Sequence, residues 1–261
     1  MAVSADGARW FLLNASPDVR DQLGRLPGDP PASTRHVPVE GIVLTDAELD
    51  HSVGIVLLRE ARRLQICATH AVCRVLERDS CILPVTRAFA EVQVTQLPLD
   101  GTTVLCDRAG TTSGLAIDSF PVPGGPPRFA REDLAGHTIG LVVRDEATGG
   151  SCAFVPGCGG LDADLLSRLG TADLVLFDGT FWTDDELIAL GIGDSRARQM
   201  DHLPISGPDG SLESLAALAS RSKVYTHINN TNPMLVEDSP ERALVERRGV
   251  RVGADGMRFT L

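Results

Sequence analysis

The chain has 261 residues, 43% of them hydrophobic, and is long enough for one large domain with a well-buried core or for two small domains. Its 35 Asp and Glu against 24 Lys and Arg give a net charge of −11, which argues against nucleic acid or an anionic membrane as partner, since both favour a basic surface. No run reaches the roughly 18 apolar residues of a membrane span. No cationic leader with an apolar segment opens the chain, so we expect a cytoplasmic protein.

The first part of the chain alternates short strands with helices. "RWFLLNAS" (9–16) predicts a strand that ends in a turn, and "SPDVRDQL" predicts a helix start with Ser16 at the N-cap. A segment with Pro and Gly (27–38) follows. We then expect, in order, a strand over 40–45, a helix over 51–60, a strand over 64–69 and a helix over 69–79. Residues 91–122 alternate apolar and polar side chains, which predicts an antiparallel sheet.

The second part begins with "GHTIGLVVRDEATGGSCAFVPG", which predicts a hairpin about a Thr-Gly-Gly turn. Further elements are expected in this order: helix 161–169, strand 173–179, helix 183–190, helix 210–220, strand 223–228, helix 239–248 and two terminal strands. Early strands in meanders and later strands alternating with helices predict one domain of two packed mixed sheets between helical layers.

Six cysteines show no Cys-x-x-Cys pair; they are Cys67, Cys73, Cys81, Cys106, Cys152 and Cys158. In a chain of this length we interpret them as reduced thiols, most of them buried as small hydrophobic side chains. Cys152 and Cys158 lie close in sequence, so a metal or redox role is the alternative for that pair.

Several predicted strand ends and loops carry side chains that bind metals. "TDAELDH" ends on Asp50 and His51, "LVLFDGTFW" contains Asp178, and "VYTHINNTNP" contains His227; a loop, "MDHLPISGPDGS", adds His202. Taken singly, such residues are more often turn formers, helix caps or hydrogen-bonded core histidines. Taken together, His and carboxylate ligands suit Zn, Fe or Mn. These side chains would make five ligands of one metal site, or four ligands with the fifth residue orienting one of them.

Other polar residues have simpler interpretations. Three histidines, His36, His70 and His137, are expected to be structural or to face solvent. The run "NNTN" (229–232) either shapes the pocket by hydrogen bonding or forms a tight turn stabilised by Asn side chains.

These residues resemble the metallo-β-lactamase superfamily, whose strand-end motif is His-x-His-x-Asp-His. Here residues 46–51 are Asp-Ala-Glu-Leu-Asp-His, so both leading histidines are replaced while the Asp-His pair remains. Asp178 and His227 match the later aspartate and the last histidine of the superfamily. A further metal histidine of hydrolytic members would fall near 119–129, where this chain has none.

A narrower resemblance is to the PqqB family of pyrroloquinoline quinone (PQQ) biosynthesis proteins, and it covers nearly the whole chain. It is carried by "LLNASPDVRDQL", "LTDAELDHSVGIVLLREA", "FVPGCG", "HLPISGPDGS" and the long "THINNTNPMLVEDSPERALVERRGV". It implies an αββα sandwich of two mixed sheets flanked by helices, in a single domain over 1–261. Family members usually begin with a strand and a Cys-containing segment suited to structural zinc. We expect this chain, which starts at "MAVSADGARWFLLNAS", to lack both.

The resemblance implies PQQ biosynthesis by an iron- and dioxygen-dependent hydroxylase. Its substrate would be a tyrosine ring in a small Glu- and Tyr-containing peptide derived from the precursor PqqA. Iron(II) is the implied metal, with zinc as the alternative. The implied nitrogen ligands are His51, His202 and His227, with Asp178 as carboxylate ligand and Asp50 as a ligand or as the group that orients a histidine.

Two acidic residues and two rival functions stay open beside this hypothesis. Asp46 and Glu48 would hold a second ion, receive protons during ring chemistry, or form a solvated turn. The rival functions are a metal-dependent hydrolase of the superfamily and a non-catalytic carrier of PQQ. Oligomeric state is open, with a homodimer among the options.

Overall fold

The structure, a computed structural model, describes residues 1–26 and 37–261 and shows two compact units. The ranges of the first unit are Met1–Pro121, Gly125–Ile139 and Asp145–Ala147. Those of the second are Val122–Gly124, Gly140–Arg144 and Thr148–Leu261. A single domain stays a prediction. Most of the segment 27–38, including His36, lies outside the described residues.

The first unit contains a five-stranded mixed sheet. Its strands are β1 (Ala2–Val3), β2 (Phe11–Leu13), β3 (Gly41–Val43), β4 (Arg63–Ala68) and β5 (Glu91–Gln96). They lie in the order β1-β2-β3-β4-β5, with β1 antiparallel to β2 and the other neighbours parallel. The central strands β2 and β3 are buried along their whole length, as their continuous apolar sequences predict for a parallel sheet.

The described residues of the first unit form five helices. They are α1 (Val19–Leu23), α2 (Leu49–Ser52), α3 (Gly54–Leu57), α4 (His70–Arg78) and α5 (Ile82–Arg87). In α4 the Thr69 side chain caps the first turn by accepting from the Val72 N–H, and Val75 and Leu76 lie on the buried face. These side chains pack with the fully buried Ile66 of β4 in one hydrophobic core. The predicted helix over 69–79 is confirmed.

The prediction of an antiparallel sheet over 91–122 is right for one part of that range and wrong for the other. The strands β6 (Gly101–Cys106) and β7 (Thr112–Pro121) form an antiparallel pair. By contrast, β5 pairs in parallel with β4 because α4 and α5 connect the two strands. Helix α5 was not predicted; Pro84 lies in its first turn, where proline is tolerated. The first helix begins at Val19 with Asp18 at the N-cap, two residues beyond the predicted Ser16.

Most of the second unit's strands are parallel. Its strands are β8 (Ile139–Asp145, mostly in this unit), β9 (Ser151–Val155), β10 (Leu174–Asp178), β11 (Ser222–Thr226) and β12 (Arg251–Val252). They lie in the order β12-β11-β10-β9-β8. The β8–β9 pair is antiparallel, which confirms the predicted hairpin, and the other pairs are parallel. Of the two predicted terminal strands, only β12 forms among the described residues.

Helices follow the strands of the second unit in alternation. They are α6 (Ala163–Gly170), α7 (Glu186–Ala189), α8 (Ser211–Ala216) and α9 (Pro240–Arg247), with 3-10 helices at Ala197–Met200 and Pro233–Leu235. None of the helices in the described part of the chain combines the length and the apolar content that a membrane span requires.

The cysteines are free thiols, as predicted. Burial raises the pKa of both Cys152 and Cys158 to about 12. The Cys158 thiol donates to the Gly160 carbonyl oxygen at 2.9 Å. Because metal binding and thiol redox chemistry need the thiolate, these properties favour the interpretation of both residues as core side chains.

Gly54 holds the loop after β2 against α2 and α3. Its N–H donates to the Ala15 carbonyl at 3.0 Å, and the Ala15 N–H donates to the His51 carbonyl at 2.7 Å. A Cβ on Gly54 would lie 2.3 Å from the Ser16 carbonyl oxygen and 2.5 Å from that of Ala15. This close backbone approach leaves no room for a side chain.

We predict that Gly54→Ala lowers the free energy of unfolding by at least about 2 kcal/mol, because backbone atoms must move apart to admit the methyl group. Urea denaturation followed by circular dichroism measures the change. Gly24→Ala is the matched control, since its Cβ would meet only the Asp21 carbonyl oxygen at 3.5 Å. Equal stability of the two variants would contradict the packing described for Gly54.

Candidate metal centre

Three of the predicted ligands come together in the second unit from three separate segments. Asp178 is the last residue of β10, His227 directly follows β11, and His202 lies in the loop after the 3-10 helix Ala197–Met200. The parallel register pairs Asp178 with Thr226, so the two strands end side by side. One possible ligand atom from each of these residues lies within 4.8 Å of the others. The structure thus brings three of the five predicted ligands together within this unit. That they bind a metal stays a prediction.

Asp178 is completely buried and has hydrogen-bond partners on both carboxylate oxygens. Its Oδ1 accepts from the Thr180 N–H at 3.0 Å and from the Thr180 hydroxyl at 2.6 Å. Its Oδ2 accepts from the Cys158 N–H at 3.0 Å and lies 2.7 Å from the His202 Nδ1. A buried carboxylate is stable only when it is paired and hydrogen-bonded. These contacts meet that requirement.

The two imidazoles lie side by side and are about four-fifths buried. The rings of His202 and His227 stack with centroids 5.5 Å apart and an angle of 21° between their planes. The edge of Phe181 contacts His202, with centroids 5.9 Å apart. The His227 Nδ1 lies 2.8 Å from the Thr180 Oγ1 and 4.0 Å from the Asp178 Oδ1. Both rings are therefore held on their Nδ1 side by the same two residues.

The backbone has left-handed angles at His227 and at the residue before His202. His227 has φ 53°, and Asp201, immediately before His202, has φ 58°. Non-glycine residues rarely adopt such angles, and where they do, the surrounding structure imposes them. The 229–232 turn supplies part of this restraint, because the Asn232 side-chain amide donates to the Gly179 carbonyl at 3.0 Å and its oxygen accepts from the Met234 N–H. Of the two interpretations of "NNTN", these contacts favour the tight turn.

In the first unit, the structure pairs His51 with Asp46. The His51 Nδ1 lies 2.7 Å from the Asp46 Oδ2, and both side chains are buried. The Thr45 hydroxyl and the Glu48 N–H also donate to the Asp46 carboxylate. Asp46 thus acts as the group that orients His51. The sequence prediction offered Asp50 either as a ligand or as the group that orients a histidine. Asp50 and Glu48 are exposed at the start of α2.

The charges of this pair shift both pKa values. Burial alone would raise the pKa of Asp46, but attraction to His51 and the hydrogen bonds outweigh it, so the net pKa is lowered. Burial alone would lower the pKa of His51, but the Asp46 carboxylate outweighs it, so the net pKa is raised. The pair is therefore stabilised as imidazolium and carboxylate in the protein without metal.

The remaining histidines match their predictions where they are described. His70 is exposed at the first position of α4. His137 is buried, and its Nε2 contacts the Glu132 carbonyl and the Leu134 N–H, which gives it a structural role.

Sequence reasoning missed Thr180 and Asp46 as residues that hold the histidines. Thr180 contacts three of the site residues, and its only sequence signal is its place in "FDGT", two residues after a strand-end aspartate. For Asp46 the sequence allows a second ion, proton acceptance or a solvated turn, and the pairing with His51 is none of these. Both residues contact the Nδ1 of a histidine, which is the usual way in which proteins orient metal-binding imidazoles.

The donor set fits a transition metal. One buried carboxylate and two stacked imidazoles offer the oxygen and nitrogen ligands that zinc and iron use, and a carboxylate bonded to Nδ1 directs ligation to Nε2. Both Asp178 oxygens take part in hydrogen bonds in this arrangement, where the carboxylate supports the imidazoles. Its role as the carboxylate ligand stays a prediction.

Comparison with known proteins gives consistent matches. The model of the β-lactamase superfamily domain matches residues 9–228. Coenzyme PQQ synthesis protein B of Gluconacetobacter diazotrophicus is 41% identical over 270 residues, covering all of this chain and 86% of that protein. The same protein of Gluconobacter oxydans is 39% identical, with the same coverage.

Solved structures agree with these matches. The zinc-bound PqqB of Methylobacterium extorquens superposes with a TM-score of 0.87 at 36% identity, covering all of this chain and 86% of that one. The metallo-β-lactamase fold protein YhfI of Bacillus subtilis, at 12% identity and a TM-score of 0.66, shares the fold. The predicted fold class is confirmed.

We predict that Asp46→Asn lowers the pKa of His51, because the substitution removes the negative charge while the burial remains. NMR titration of the metal-free protein measures this pKa. The pair also makes the free energy of unfolding depend on pH. In the wild type its stabilising contribution is complete below the ordinary histidine pKa of about 6.5 and is lost as the pH rises through the raised pKa of His51. In Asp46→Asn this pH-dependent decrease in the free energy of unfolding should be absent. An identical His51 pKa in both proteins would show that Asp46 does not control it.

Proposed function

The chain belongs to the PqqB family of the β-lactamase superfamily, and from this membership we propose that it acts in the synthesis of PQQ. The proposed reaction is the iron(II)- and dioxygen-dependent hydroxylation of a tyrosine ring in a small Glu- and Tyr-containing peptide, the product of which is a catechol. The cytoplasm is the proposed location. The observation that carries the proposal is the grouping of two imidazoles around one buried carboxylate.

This grouping supports iron chemistry because non-haem iron oxygenases bind their metal through histidines and a carboxylate, and two of the proposed histidine ligands lie together here. Bound iron(II) supplies the one-electron chemistry that lets dioxygen react with an aromatic ring. Zinc is the alternative metal, supported by the zinc-bound relative.

The chain's own residues hold and orient the ligands. His202 and His227 would bind the metal through nitrogen, and Asp178 would fix them with its buried charge. The Phe181 ring, nearly perpendicular to that of His202, gives the site an apolar side. Asp50 and His51 stay proposed ligands on sequence grounds.

A hydrolase is the weaker candidate. Asp46 occupies the position of the first motif histidine, and the structure uses its carboxylate to bind the His51 Nδ1. A hydrolytic site of this superfamily needs nitrogen ligands at that position, and it needs a metal-bound hydroxide near neutral pH. Asp46 has no imidazole, and both of its carboxylate oxygens already take part in hydrogen bonds.

We predict that the protein, loaded with Fe(II) without air and then given dioxygen, a reductant and a Glu-Tyr peptide, yields a peptide heavier by one oxygen atom. Mass spectrometry with ¹⁸O₂ measures the product, and the label should come from dioxygen rather than water. His227→Ala should abolish the gain in mass. His70→Ala, a surface substitution at the start of α4, should leave it intact.

An unchanged peptide mass with iron bound in full stoichiometry would contradict the proposed reaction. Turnover of esters or lactones by the zinc-loaded protein, with oxygen taken from water, would favour the hydrolase. Tight binding of PQQ without turnover, unaffected by removal of the metal, would favour a carrier.

A further inference from the structure

Thr180 contacts every group of the candidate metal centre in the second unit. Resting on the proposed metal centre, we propose that Thr180 is a positioning residue whose hydroxyl fixes the tautomer of His227. The proton of that imidazole is held on Nδ1, and Nε2 becomes the nitrogen that binds the metal. Asp178 does the same for His202.

The distances identify the Thr180 hydroxyl as the common contact. Its Oγ1 lies 2.6 Å from the Asp178 Oδ1, 2.8 Å from the His227 Nδ1, 2.9 Å from the His227 carbonyl oxygen and 3.1 Å from the His202 Nδ1. Its side chain is buried, so water does not compete strongly for these positions.

Counting hydrogens decides the direction of each bond. A hydroxyl has one hydrogen to donate and two lone pairs. Two of the four contacts, the Asp178 Oδ1 and the His227 carbonyl oxygen, can only accept. The hydrogen goes to the Asp178 Oδ1, because that contact is the shorter and its acceptor is charged. The Thr180 oxygen is then an acceptor toward His227, so the Nδ1 of His227 must carry a proton.

The same count applies to His202. Its Nδ1 lies 2.7 Å from the Asp178 Oδ2, closer than to the Thr180 hydroxyl at 3.1 Å. The carboxylate only accepts, so the Nδ1 of His202 also carries the proton. A neutral imidazole protonated on Nδ1 has its lone pair on Nε2. Both rings are therefore set to bind a metal through the same nitrogen.

The position of Thr180 is itself fixed from outside the site. Its carbonyl accepts from the Asn229 N–H at 3.2 Å and from the Asn232 side-chain amide at 3.4 Å. The same turn carries the chain away from His227. The Thr180 backbone is therefore hydrogen-bonded to the turn that directly follows His227.

The test compares Thr180→Val, which removes the hydroxyl at nearly constant shape, with Thr180→Ser, which keeps it. Affinity for Zn²⁺ is measured by competition with a chromophoric chelator, and affinity for Fe²⁺ in the same way under anaerobic conditions. We expect Thr180→Val to lose about 10–100-fold in affinity, and Thr180→Ser to stay within a few-fold of wild type. Ser211→Ala is the matched control: it removes a buried hydroxyl whose hydrogen-bond partner is the Tyr225 hydroxyl, and should leave the affinity unchanged.

Histidine tautomers are measured by long-range ¹H–¹⁵N NMR on the metal-free protein. We expect the Nδ1-protonated form for His227 in the wild type and in Thr180→Ser, and a shift toward the Nε2-protonated form in Thr180→Val. A change in global stability alone would not move this signal.

The proposal is overturned if wild-type His227 carries its proton on Nε2, a result that needs no variant to fold. It is also overturned if Thr180→Val binds the metals as tightly as wild type, or if Thr180→Ser loses as much affinity as Thr180→Val. None of these readouts involves turnover. A protein that binds metal as described but does not hydroxylate the peptide would sink the proposed function and leave this proposal standing.

Discussion

The buried charge of Asp178 is the constraint on which the candidate site depends. A carboxylate with no exposed surface would be strongly destabilised without donors on both oxygens. The chain meets this need with Thr180, the backbone of Cys158 and the imidazole of His202, which come from three different segments. The hydrogen bonds to this one carboxylate therefore fix the positions of three loops. These loops follow β9, β10 and the 3-10 helix Ala197–Met200. The register of β10 with β11 then adds His227.

A second buried carboxylate repeats the arrangement in the first unit. Asp46 takes hydrogen bonds from Thr45 and Glu48 and holds the His51 Nδ1, as Asp178 holds that of His202. In both places a carboxylate holds an imidazole through Nδ1, which leaves Nε2 as the nitrogen that a metal would bind. Replacement of the first motif histidine by an aspartate therefore converts a ligand position into a supporting one, and this change fits an activity other than hydrolysis.

Local patterns in the sequence were sufficient for most elements and for the ligand candidates. Helix α4 follows from its Thr69 cap and the spacing of its apolar residues, and the hairpin of β8 and β9 follows from its turn. Strands that end in Asp178 and before His227 predict a shared site because parallel neighbours end at the same edge of a sheet. Pairing and hydrogen bonding between distant residues were not predictable. The parallel direction of β5, and the contacts of Thr180 with two histidines 22 and 47 residues further along the chain, arise only in the folded protein.

The central claim is that His202 and His227, supported by Asp178, hold a metal ion. Metal content of the protein purified without chelators and reloaded with iron or zinc, measured by inductively coupled plasma mass spectrometry, tests it most directly. The account predicts stoichiometric metal in the wild type and in the surface variant His70→Ala, and a large loss in His202→Ala and in His227→Ala. Full metal occupancy in both of those variants, with the fold intact, would contradict it.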